Sequence, residues 1–90
     1  MTAPVPITLL TQPACGLCEF AKEILARLGT RYPMSVTEIS LDTAAGRRLA
    51  AEAGMMFAPG VLVDGQPFSY GRLSERKLRR LLERRTPSSR

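Results

Sequence analysis

Cys15-Gly16-Leu17-Cys18 holds both cysteines of the 90-residue chain, two residues of spacer apart. Thiols at this spacing can close a small disulfide ring and open it again, which is the chemistry of thiol–disulfide exchange. The attacking species in that exchange is the thiolate, so the surroundings must favour charge on one sulfur. An apolar run, Ile7 to Leu10, precedes the pair, and an unbroken helical pattern follows it. A helix beginning at Cys15 sets its sulfur against unpaired backbone N–H groups and the positive end of the helix dipole. Gly16 and Leu17 bring neither charge nor a hydrogen-bonding side chain, so activation of Cys15 rests on the helix terminus. Glu19 reads as a solvated first-turn carboxylate that favours the helix start.

A C-x-x-C pair is also half of a metal site. A structural zinc site wants four ligands, usually Cys or His, and this chain has no further cysteine and no histidine. Metal or an iron–sulfur cluster would therefore need a dimer pooling two pairs, or outside ligands. Two further readings stay open: an inert buried pair, and a protein-interaction module that keeps a redox fold without turnover. Pro13 and Gly16 put the pair at a turn, which weighs against inert burial. The absence of histidine also removes Ser-His and Cys-His catalysis.

Ninety residues predict one domain with a small core, and 44% hydrophobic residues is near the globular norm. A C-x-x-C disulfide closes too short a loop to staple such a domain, so chemistry explains the pair better than stability does. The first six residues carry no basic n-region or apolar h-region, and nothing approaches the roughly 20 apolar residues of a membrane span. The expectation is a monomer in a reducing cytoplasm, off the membrane. The net charge of +5 is uneven. Arg72 to Arg90 holds eight basic and two acidic residues, a net of +6; the rest holds five and six, a net of −1. That segment reads either as a solvated helix face or as a recruiting surface for an acidic protein or nucleic acid. It has no interleaved aromatics for base stacking, so nucleic acid is the less favoured of the two.

The elements that position the cysteines follow from period and punctuation. Pro4 and Pro6 leave residues 1–6 irregular, and Ile7 to Thr11 forms a short central strand. A helix from Cys15 to Leu28 places Leu17, Phe20, Ala21, Ile24, Leu25 and Leu28 on one face, pairs Glu23 with Arg27, and ends at Gly29. A second strand spans Ser35 to Leu41. Asp42 or Thr43 caps a weaker, glycine-bearing helix that ends at Gly54. Met55 to Phe57 reads as core and rim packing. Val61 to Val63 and Gln66 to Tyr70 form a hairpin on Asp64-Gly65, with Pro67 marking an edge strand. Ser74 caps a last helix, Leu73 staples to Leu78, and Leu78, Leu81 and Leu82 form its buried stripe. Residues 86–90 read as a frayed tail. The order is β-α-β-α-β-β-α, an α/β fold with a four-stranded mixed sheet flanked by helices over residues 7–85.

Taken together, these elements resemble the thioredoxin fold in its minimal, glutaredoxin-like form. Three motifs carry the resemblance: Cys15-Gly16-Leu17-Cys18 after a strand, Ala58-Pro59 entering the third strand, and Tyr70-Gly71-Arg72-Leu73-Ser74 before the last helix. Gly16-Leu17 stands where glutaredoxins usually carry Pro-Tyr, so the chain looks closer to small glutaredoxin-like proteins with a C-x-L-C motif, and secondarily to the redoxins that serve ribonucleotide reductase. The resemblance implies a cis proline at Pro59 beside the disulfide, with Cys15 attacking and Cys18 resolving. It implies substrate contacts from the Ala58 backbone, Pro59, Gly71 and Arg72, the last holding a carboxylate, and close backbone approach at Gly60. No bound cofactor is expected. Disulfide-containing proteins would be the substrates, and glutathione as co-substrate or a thioredoxin-type reductase would supply electrons.

Overall fold

Val5, Ile7 and Leu9 of the first strand and Val61 and Val63 of the third present one continuous apolar face, while only Leu10 and Leu62 are apolar toward the other. One face of the sheet therefore needs a large helical cover and the other a smaller one. The computed structural model describes residues 3–85; Met1, Thr2 and the expected frayed tail at 86–90 lie outside them. The elements are β1 (Val5–Thr11), α1 (Gly16–Gly29), β2 (Met34–Ser40), α2 (Ala44–Ala53), β3 (Gly60–Val63), β4 (Gln66–Tyr70) and α3 (Glu75–Arg85).

The sheet runs β2-β1-β3-β4. β1 pairs in parallel with β2, in the register Ile7 with Val36, and antiparallel with β3, in the register Leu9 with Val61. β4 pairs antiparallel with β3 and forms an edge, which accommodates Pro67 in the ladder. Asp64 and Gly65 take φ of 55° and 79°, the pair of positive values a two-residue type I′ hairpin needs. Val5, Ile7, Leu9, Val61 and Val63 pack with Ala21, Ile24, Leu25 and Leu28 of α1 and with Leu73, Leu78 and Leu82 at and along α3. Leu10 and Leu62 point the other way, into a smaller cluster with Ala50 and Met55 under α2.

Several boundaries differ from the sequence reading, each for a visible reason. β1 begins at Val5, two residues early, because Val5 is buried and its N–H donates to the Pro33 carbonyl. Gly29 is the last residue of α1 rather than a left-handed cap; Thr30 closes the helix at φ −76°, its hydroxyl donating to the Arg27 carbonyl. Arg27 does not take Glu23 as its partner. Its guanidinium reaches across to Glu75 on α3 through Nη2 at 2.8 Å and Nε at 3.3 Å, a forked geometry that a single helix face does not offer. Those hydrogen bonds hold the Glu75 carboxyl below the usual carboxylate range.

The caps of the other helices are as read. Thr43 Oγ1 accepts from the Gly46 N–H at 2.9 Å, and Ser74 Oγ accepts from the Lys77 N–H at 3.2 Å. Leu73 and Leu78 share one buried cluster, the expected staple across the start of α3.

Candidate active site

β1 delivers the chain at Thr11 to a loop that must turn it into a helix within four residues. Ala14 accomplishes the turn at φ 53°, in the left-handed region that costs an L-residue about 1 kcal/mol. Cys15 follows in extended conformation, φ −113° and ψ 103°, as the N-cap of α1. Its Sγ accepts a hydrogen bond from the Cys18 N–H at 3.0 Å, where an N-cap hydroxyl would ordinarily sit. Cys15 and Cys18 are joined in a disulfide with their Cα atoms 5.2 Å apart. The two sulfurs are not equivalent. Cys15 is half-buried at the surface, whereas Cys18 is only 2% exposed, one turn inside α1.

The sheet brings the other motif residues to the same end. Thr11 pairs with Ser40, Leu10 with Gly60, and Gly60 with Tyr70. The cysteine loop, the end of β2, the Ala58-Pro59 segment and Tyr70-Gly71-Arg72 therefore all lie at one end of the sheet. The Ala58–Pro59 peptide bond is cis, and both residues are buried. Gly71 takes φ 84°, and its N–H donates to the Pro59 carbonyl at 2.8 Å. Glycine is needed there twice over: by the left-handed backbone, and because a Cβ would stand 3.3 Å from the Phe57 ring. Among the described residues, the Ala58 backbone groups make no hydrogen bond. Gly60 differs from its expected role: the space beside it is filled by Met55 Sδ and Leu10, so its lack of a side chain serves packing under α2 rather than close approach of another backbone.

Arg72 is exposed, and its guanidinium lies over the Phe20 ring at 4.7 Å. Stacking of this kind fixes the head group while leaving its edge donors available. Leu17, expected on the buried face of α1, is 39% exposed. Met56 at 80%, Phe57 at 53% and Tyr70 at 41% complete an apolar rim, with Phe57 and Tyr70 edge to face at 5.0 Å. The aromatic pair has no local signal in sequence because twelve residues separate its members; the signal that points to it is the register that sets Tyr70 opposite Gly60. On the β2 side of the disulfide, an open cleft of about 570 Å³ is lined by Gln12, Cys15, Glu19, Lys22 and Ser40. Lys22 bridges Glu19 at 3.1 Å and Glu38 at 3.6 Å, and the Glu19 hydrogen bond raises its pKa. That bridge turns Glu19 toward Lys22 as the partner of its charge.

Comparison with known proteins agrees with this geometry. The glutaredoxin-like domain family (DUF836) matches residues 6–83. An uncharacterised protein of Mycobacterium tuberculosis is 35% identical over 83 residues, covering 89% of this chain and 84% of the relative. The solved structure of the thioredoxin-like protein BC3987 superposes with a TM-score of 0.70 at 31% identity, over 84% of this chain and 99% of that one. A mutant thioredoxin from Halobacterium salinarum superposes with a TM-score of 0.72 over 96% of this chain and 78% of its own, sharing the fold at 22% identity. By sequence and by structure, this chain belongs to the glutaredoxin-like domain family, a thioredoxin-fold redoxin whose C-x-x-C pair is Cys15 and Cys18.

Proposed function

We propose that the chain is a thiol–disulfide oxidoreductase that reduces protein disulfides or glutathione mixed disulfides through the Cys15–Cys18 dithiol. The observation that carries this reading is the asymmetry of the pair: a surface sulfur at a helix N-terminus bonded to a buried one a turn further in. In the reduced protein, the Cys15 thiolate attacks one sulfur of the substrate disulfide. A Cys15–substrate S–S bond forms, the substrate S–S bond breaks, and the departing thiolate takes a proton from solvent. Cys18, deprotonated, then attacks Cys15 Sγ. The second substrate thiolate leaves and is protonated, two electrons have passed to the substrate, and Cys15–Cys18 is the disulfide again. Glutathione or a thioredoxin-type reductase returns the two electrons, in a reducing cytoplasmic setting.

The surrounding residues supply substrate binding. The unbonded backbone groups of Ala58, beside Pro59, suit an extended segment laid along the sheet edge next to Cys15. Gly71 keeps that wall low, and Arg72, held on Phe20, suits a carboxylate of glutathione or of a protein substrate. The test is to replace the resolving thiol. Cys18→Ala is preferred to serine because Cys18 is buried, where an unpartnered hydroxyl costs about 1–3 kcal/mol. Mixed with a disulfide-bonded protein, the variant accumulates a covalent one-to-one adduct at Cys15, detected by mass spectrometry and released by dithiothreitol. A variant that forms no adduct while remaining folded contradicts the assigned roles.

A further inference from the structure

The outward face of α3 carries Arg76, Arg80 and Arg84 at successive four-residue intervals, with Lys77 beside them. All four are exposed, and among the described residues none of them makes an ion pair. Like charges four apart on a helix repel and destabilise it by roughly 0.2–0.5 kcal/mol per pair. A merely solvated face is usually laced with alternating signs, and α3 does have two acids. Both are drawn to its other side: Glu75 pairs with Arg27 at 2.8 Å, and Glu83 accepts from the Tyr32 hydroxyl at 2.9 Å and lies 3.8 Å from Arg79. The row spans about 12 Å at 1.5 Å per residue. In sequence its spacing extends back to Arg72, stacked on Phe20 at the disulfide end of the sheet.

We infer that this arginine row is a docking surface for an acidic protein partner, and that it recruits disulfide-bonded proteins whose cysteines are flanked by Asp and Glu. The inference rests on the oxidoreductase reading for the identity of the cargo, but not for the charge recognition itself. Guanidinium groups in a row match carboxylates by forked hydrogen bonds. A protein is favoured over nucleic acid by the side chains on offer. Leu17 beside Cys15 and the Phe57–Tyr70 pair are exposed apolar groups that fit a peptide segment, whereas the basic helix has no aromatic side chain on which a base would stack.

The experiment uses the full chain and three peptides that share one disulfide ring but carry acidic, neutral or basic flanks. Second-order rates of reduction are compared with those of the row variant Arg76→Gln/Arg80→Gln/Arg84→Gln, with a small uncharged disulfide as reference. The acidic peptide is expected to react about tenfold faster than the neutral one at low salt, the lower end of electrostatic steering. That preference should fade near 1 M salt, where the screening length falls to about 3 Å. The variant should lose the preference and keep its rate on the uncharged disulfide. Equal rates for acidic and neutral peptides in the parent, or an unchanged preference in the variant, overturns the inference. Tighter binding of an oligonucleotide than of the acidic peptide also overturns it. If no disulfide reacts at all, it is the oxidoreductase reading that fails. Fluorescence anisotropy with a cysteine-free acidic peptide then decides the docking surface alone: binding lost in the variant supports it, and no binding in the parent refutes it.

Discussion

Cys15→Ser is expected to remove disulfide reductase activity, lowering the rate by about 10³-fold or more, to the uncatalysed level. The reason is chemical rather than structural. A serine hydroxyl at the same N-cap still accepts the Cys18 N–H, and serine is a favoured residue at that position. The helix therefore keeps its start. The four-residue disulfide ring contributes little to stability, so its loss leaves the fold intact. What disappears is the thiolate. The remaining thiol, on Cys18, is 2% exposed and cannot reach a protein disulfide without local opening of α1. The measurement is turnover of a disulfide-bonded protein with the thermal unfolding midpoint as control. Unchanged midpoint with lost turnover is the expected pair of results. Retained turnover would show that Cys15 is not the attacking group, and a large fall in midpoint would show that the disulfide is structural.

Gly46→Ala is expected to destabilise the domain by about 3 kcal/mol, the upper part of the range for overpacking a tight contact. Helix propensity alone says the opposite, since alanine in a helix interior is better than glycine by about 1 kcal/mol. The structure decides the sign. Gly46 is buried in the first turn of α2, against the chain leaving β2. A Cβ there would collide with the Ser40 carbonyl, standing 2.7 Å from its carbon and 3.1 Å from Leu41 Cα. These are backbone atoms, fixed by the hydrogen bond from the Leu41 N–H to the Thr11 carbonyl at 2.8 Å and by the Thr43 cap, so no rotamer change relieves the contact. At roughly 4–8 °C per kcal/mol for a domain of this size, the melting temperature should fall by about 10 °C or more. A rise in melting temperature would mean that α2 shifts freely on the sheet. The same strain reaches the candidate site, because Ser40 lines the cleft beside Cys15.

Gly46 also illustrates what could be read from sequence and what could not. Read alone, it weakens a helix; only the approach of β2 gives it a purpose. The elements themselves were legible because their signals are local. Ile24, Leu25 and Leu28 recur at helical spacing, Asp64-Gly65 names its own turn, and Ser74 with Leu73 marks the start of a helix. The cysteine pair, Pro59 and Gly71 were legible as motifs, and the sheet register brings them to one end of the sheet. Contacts between elements were not legible. The i,i+4 spacing names Glu23 as the partner of Arg27, and only α3 laid beside α1 brings in Glu75. Leu17 continues the apolar period of α1 yet is 39% exposed, beside a Cys18 that is 2% exposed in the same turn. The Ala14 turn had no signal either, since alanine does not advertise a positive φ. The basic segment reads in sequence as a solvated or a recruiting face, and only the partners of Glu75 and Glu83 leave Arg76, Arg80 and Arg84 without an ion pair among the described residues.

The most direct test of the central claim is the equilibrium between Cys15–Cys18 disulfide and dithiol across glutathione redox buffers, read by mass spectrometry after acid quench. The expected result is a single two-electron transition with a definite midpoint, in which a tenfold change in the equilibrium constant corresponds to about 30 mV. Mixed disulfides with glutathione at Cys15 during the transition would favour glutathione as electron donor, and their absence would favour a reductase. A pair that stays reduced, or stays oxidised, at every accessible poise would contradict a role in disulfide exchange.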